Sequence, residues 1–178
     1  MNAATTNPEI SQPRNIRILK IGTCPSLSQS ATLTYHVAQE VNGDHGEILF
    51  RVHANSSSGY FSREWIPLVA IQEIFTKEAA DGTIPGNGTI TSFLLLSLFK
   101  GKSTNTPGFM LAAILAEGLI QQSSINDRCY ECTDGKAFFS DIQTLIDSDV
   151  ALDADAKPKG DTKKLSKKKS SSEAAPSA

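Results

Sequence analysis

Ten consecutive positions, Pro107-Gly108-Phe109-Met110-Leu111-Ala112-Ala113-Ile114-Leu115-Ala116, carry no side chain able to read a base edge. Thr106-Pro107 supplies a capping residue and a first-turn proline, and Gly118 supplies a stop, so the pattern predicts a helix ending near Glu117. A helix that is apolar on every side must be enclosed, either in a core or in a protein interface.

The ordered part of the chain begins with a β region. Leu33, Tyr35 and Val37 alternate with Thr34 and His36, and Ile48, Phe50 and Val52 alternate with Glu47, Arg51 and His53. Period two over such lengths marks half-buried strands. The turn-rich stretch at 39–46 predicts that the two strands pair as a hairpin. A shorter strand is expected over residues 16–21, and Asn55-Ser56-Ser57-Ser58-Gly59 ends the meander.

Helical signals follow. Pro67 suits a first helical turn, and Leu68, Ile71, Phe75 and Ala79 share one face, with Asp81-Gly82 as a stop. Thr89 caps an expected second helix running through Phe99. The 127–139 run is read as two strands, or one bent strand, around Thr133-Asp134-Gly135-Lys136. Ser140 and Gln143 make a capping box, so a last helix is expected from Asp141 to about Asp147.

The order helix, helix, helix, strand, turn, strand is carried by Leu115-Ala116-Glu117-Gly118-Leu119-Ile120 and Arg128-Cys129-Tyr130-Glu131-Cys132-Thr133-Asp134-Gly135. It resembles the winged-helix fold of many bacterial regulators, in which a "GLI"-like step leads into a two-stranded wing ending in a "TDxG"-like turn. The resemblance covers residues 66–139 and implies DNA binding. In such regulators the third helix offers polar side chains to the major groove. Here that helix has none, so the expected contacts are to phosphate, from Lys100, Lys102, Ser103, Thr104, Asn105 and Thr106 ahead of it and from Arg128 and Lys136 in the wing. Capping and solvated loop charges explain the same residue types.

Charge is unevenly placed. The chain of 178 residues has a net charge of −2. Residues 153–178 hold seven lysines, including Lys163, Lys164, Lys167, Lys168 and Lys169, against four carboxylates, a net +3. With Glu9 in the N-terminal arm, residues 14–152 are left at −4, which is not a broad nucleic-acid footprint. Any DNA affinity must come from a local patch or from the tail. The tail has too little apolar content to offset the entropy of ordering and is expected to be disordered. It either binds phosphate backbones without sequence preference or keeps the chain soluble.

Other constellations are weaker. Cys129 and Cys132 match C-x-x-C, but no second pair accompanies them, and residues three apart on a strand point to opposite faces. No metal or cofactor is expected. Gly22-Thr23-Cys24-Pro25-Ser26-Leu27-Ser28-Gln29-Ser30 lacks the lysine of a phosphate-cradling loop and reads as a polar turn. His36, Arg51 and His53 fall on the polar sides of neighbouring strands, where an exposed sheet face accounts for them. Tyr60-Phe61-Ser62-Arg63-Glu64-Trp65 either anchors the sheet-to-helix junction or stacks single-stranded bases beside Arg51 and Arg63. With three cysteines and no signal-like opening in MNAATTNPEISQP, a cytoplasmic protein without membrane contact is expected.

The expected fold is therefore α+β. A flexible arm (1–13) precedes an antiparallel β meander (14–65), a three-helix winged-helix-like unit (66–152) and a disordered Lys-rich tail (153–178). The expected function is a non-enzymatic DNA-binding protein, a small transcriptional regulator acting as a homodimer through surplus apolar helical surface. The alternative is a protein-interaction or assembly module whose apolar helices bind a partner. No motif points to an enzyme.

Overall fold

A computed structural model describes residues 15–42, 45–78, 82–99 and 103–155. The expected flexible arm (1–13), Lys100, Lys102 and the tail lysines lie outside the described residues. Four strands form one antiparallel sheet in sequence order: β1 (Ile16–Pro25), β2 (Thr32–Asn42), β3 (His45–Asn55) and the short β4 (Ile66–Pro67). The alternation in β2 and β3 sets their register. Tyr35 faces Val52 and Val37 faces Phe50, while His36 faces Arg51 and Ala38 faces Leu49. β1 runs on through Gly22-Thr23-Cys24-Pro25, expected to be a turn, because these residues pair with Thr32 to Tyr35.

Two bulges adjust the faces. β1 gains an extra residue between Ile18 and Lys20. The extra residue lets Ile18 and Ile21, three apart, share the outer face with Ala38, while Leu19 joins the main core. In β3, Thr34 faces Ala54 and Tyr35 faces Val52, so His53 is the unpaired residue.

The helical layer covers the inner face. It comprises α1 (Leu68–Thr76), 3-10 turns at Pro85–Asn87 and Ser92–Phe99, α2 (Thr106–Ala116), the hairpin β5 (Ile120–Gln122) with β6 (Tyr130–Cys132), and α3 (Lys136–Asp147). α2 packs against β1, β2 and β3. Met110, Leu111, Ala112, Ala113 and Ile114 are all buried in it, so the sheet, together with the Ser92–Phe99 turn, supplies the enclosure the sequence demands. Each fully buried Leu, Ile or Phe contributes roughly 1.5–3 kcal/mol. One core runs from Leu19, Leu33 and Phe50 through Ile71, Leu111, Phe138 and Ile142, so the meander and the helical unit fold around the same interior.

Several boundaries differ from the sequence reading. The second helix is a 3-10 segment that starts late. Ile90 exchanges backbone hydrogen bonds with Tyr130 at 3.0 and 2.9 Å, which ties residue 90 to the hairpin. The hairpin pairs β6 with β5, and its turn is the 123–129 connection. Thr133-Asp134-Gly135 instead opens α3: the Asp134 carboxylate accepts the Lys136 N–H at 3.2 Å, and α3 starts at Lys136, five residues before the expected start at Asp141. α1 ends at Thr76, before Asp81-Gly82. Residues 153–155, assigned to the tail from sequence, lie within the described fold. Leu152 bonds the Ile18 carbonyl at 2.9 Å, and Leu152 and Ala154 pack on the outer cluster of Ile18, Ile21 and Ala38. Among the described residues no helix is long and apolar enough to cross a membrane.

The helix stop at Gly118 has φ of 70°, and an added Cβ meets nothing within 4 Å. Only backbone strain then opposes alanine. Gly118→Ala is expected to cost about 1–2 kcal/mol in a denaturant titration; an unchanged midpoint would show that the residue has left the left-handed region.

Candidate nucleic-acid interface

The polar groups of the outer sheet face converge on His36. It is fully buried, not on an exposed face as its alternation suggested. Trp65, Leu152 and Ala154, from distant parts of the chain, cover the neighbouring outer cluster. His53 stacks on the His36 ring at 4.2 Å with an interplanar angle of 17°. The Arg51 guanidinium donates from Nε at 3.2 Å and Nη2 at 3.0 Å to His36 Nδ1. Because Arg is always protonated, Nδ1 accepts and the ring proton sits on Nε2. His36 Nε2 and His53 Nδ1 are buried with no hydrogen-bond partner. A protonated Nε2 is not a metal ligand, and no group of three or more metal-ligating side chains occurs among the described residues.

Aromatic rings carry the cations. Arg51 lies over Trp65 at 4.4 Å and Arg63 lies over Phe61 at 5.7 Å. Burial, then His53 and Arg51, hold the His36 pKa down to about 3. Burial, then Arg51 and Arg63, lower His53, while Asp155 opposes the shift. Arg51 is lowered by burial and by Arg63, again opposed by Asp155. The histidines are therefore neutral near pH 7, and Arg51 and Arg63 supply the positive charge.

The loop before α2 positions this surface. Ser103 Oγ donates to the Tyr60 carbonyl, Asn105 Nδ2 donates to the same oxygen at 3.3 Å, and the Ser62 N–H donates to Thr106 Oγ1 at 2.8 Å. Thr106 is fully buried, so it offers nothing to a phosphate. The expected phosphate loop is thus a brace for residues 60–62, with Thr104 exposed beside it. Arg128 is exposed in the hairpin connection, and Lys136 pairs with Asp134 at 2.6 Å.

Two further features stand apart from the aromatic–arginine face. Glu117, with a side chain 3% exposed, accepts from Tyr35 Oη at 2.6 Å and pairs with Lys20 Nζ at 2.7 Å. This buried carboxylate ties the end of α2 to β1 and β2. Burial and Glu117 raise the Cys24 thiol to about 11, which keeps it protonated. A cavity of about 180 Å³ lies among Ile71, Phe75, Ile114, Leu119, Cys132 and Phe139. Cys24, Cys129 and Cys132 are free thiols.

Sequence reasoning singled out Tyr60, Phe61, Arg63 and Trp65 and favoured their anchoring the sheet-to-helix junction over stacking on bases. It missed the burial of His36 and the carboxylate node at Glu117. Compared with known proteins, the chain matches no family model, no curated protein and no solved structure.

Proposed function

We propose that this is a non-enzymatic DNA-binding protein, a small regulator that contacts the phosphate backbone through the Arg51–Arg63 face. The observation that carries the reading is the pairing of each arginine with an aromatic ring. Asp155 acts electrostatically on Arg51 and His53, so the last described residues lie near that face, and the lysine-rich stretch follows them in the sequence. Guanidiniums held over aromatic rings are preorganised phosphate donors. The order α1, Ile90 bridge, 3-10 segment, α2 and β5–β6 supports a winged-helix-like arrangement for residues 66–139. Because α2 is enclosed, this reading assigns phosphate contact to the sheet face rather than to the third helix.

Fluorescence anisotropy with a labelled random-sequence duplex tests it. Binding at low salt is expected, with log K falling linearly in log salt. Arg63→Gln should lower that slope by about 0.9, one phosphate contact. Absence of binding at low salt contradicts the proposal.

A second reading, a protein-interaction module, is favoured by one observation. α2 is spent in the chain's own core, but Phe93, 77% exposed, and Leu96 lie three apart on the 3-10 segment, where one row faces outward. Homodimerisation would use this row. Light scattering that stays monomeric at high concentration removes it.

A further inference from the structure

Tyr60 is 89% exposed, an unusual position for a large aromatic ring, yet its backbone is tightly held. Two side chains, Ser103 and Asn105, bond its carbonyl, and two residues on, Ser62 is fastened to the buried Thr106 hydroxyl. Phe61 is fixed edge-on against Phe109, with ring centroids 6.2 Å apart. The connector between β3 and β4 therefore presents an open ring from a fixed backbone, with the Arg63–Phe61 pair next along the chain and Trp65 at its far end under Arg51 of β3, which Arg63 influences electrostatically. Such planar groups next to cations match the alternating bases and phosphates of a polynucleotide.

Strandedness decides whether the match can be used. In a duplex the base faces are already stacked on one another, and an exposed ring finds only groove edges and sugar. A single strand offers free base faces and the same phosphate charge. Anion complementarity comes from Arg51 and Arg63, the stacking surface from Tyr60.

We infer that this face takes single-stranded DNA, with Tyr60 stacking on a base and Arg51 and Arg63 holding the adjoining phosphates. The inference rests on the DNA-binding reading and narrows it. Tyr60 lies in the open and Arg63 is exposed, so their replacement leaves the core untouched.

The test uses the full chain and anisotropy with labelled oligo-dT, its length-matched duplex and oligo-U, at several salt concentrations. Oligo-dT is expected to bind more tightly than the duplex. Tyr60→Ala should weaken oligo-dT binding by roughly tenfold or more while leaving duplex affinity unchanged, and Tyr60→Phe should restore it, since stacking needs the ring and not the hydroxyl. Quenching of the single tryptophan, Trp65, by oligo-dT gives an independent signal. Equal affinity for strand and duplex, or indifference to Tyr60→Ala, overturns the inference and leaves the DNA-binding reading standing. Tighter binding of oligo-U overturns the assignment of the strand as DNA. Absence of binding to all three overturns both.

Discussion

Acidification from neutral pH to pH 4 is expected to lower the unfolding free energy by about 3 kcal/mol through His36. In the unfolded chain a histidine titrates near 6.5, and in the fold His36 is held at about 3. Between those values the unfolded chain carries a proton that the folded chain rejects, so acid favours unfolding. Above about pH 6.5 neither state is charged and the site's stability is intact. Below it the loss runs at about 1.4 kcal/mol per pH unit until pH approaches the folded value. The cause is burial first, then the neighbouring His53 and Arg51. Urea midpoints across a pH series check this. His36→Asn keeps an acceptor for Arg51 but cannot titrate, so its pH dependence should be flatter by nearly that amount. Parallel curves for the two proteins would contradict the buried, neutral histidine. Since His36 stays neutral above pH 6.5, it adds no charge to nucleic-acid binding at neutral pH.

Glu117→Ala is expected to cost about 2–4 kcal/mol. Removal of the carboxylate leaves the Tyr35 hydroxyl, on a buried side chain, without its acceptor at 2.6 Å. Lys20, 36% exposed, loses its partner but can turn to water, which keeps the cost below that of a fully enclosed pair. Tyr35→Phe in the Glu117→Ala background should recover part of the loss, because the stranded hydroxyl is gone. Denaturant titrations of the four proteins measure the coupling. Strictly additive costs would show that Tyr35 and Glu117 do not stabilise one another. The node also fixes the end of α2, whose other end braces the Tyr60 connector through Thr106.

The parts of the fold legible in the sequence are those written locally. Alternation at 32–37 and 47–53 gave two strands, and the apolar run at 107–116 gave an enclosed helix that stops at Gly118. The parts that were not legible depend on distant residues. His36 lies on the polar side of β2 by period, but His53 and Trp65 lie against its ring, and Trp65, Leu152 and Ala154 cover the adjoining outer cluster, contacts no local pattern announces. β5 is three residues with a buried–exposed–exposed pattern, too short for periodicity to reveal. Asp134-Gly135 has the chemistry of both a hairpin turn and a helix entry, and its partners decide between them. The 3-10 start at Ser92 follows from the Ile90–Tyr130 pairing, which no local signal announces. For the candidate site, composition exposed the aromatic–arginine run at 60–65, whereas the stacking of Arg51 on Trp65 needed the β3–β4 connection in three dimensions. Ser103, Asn105 and Thr106 were recognisable as capping types, but their targets lie more than forty residues earlier in the chain.

The most direct test of the central claim is the salt dependence of DNA binding by residues 1–155 beside the full chain. If the folded body makes the contact, the shortened protein still binds at low salt, with a shallower slope than the full chain and a further fall on Arg63→Gln. If binding vanishes with residues 156–178, the lysines alone act as a polyelectrolyte, and the arginine–aromatic face is not a nucleic-acid interface.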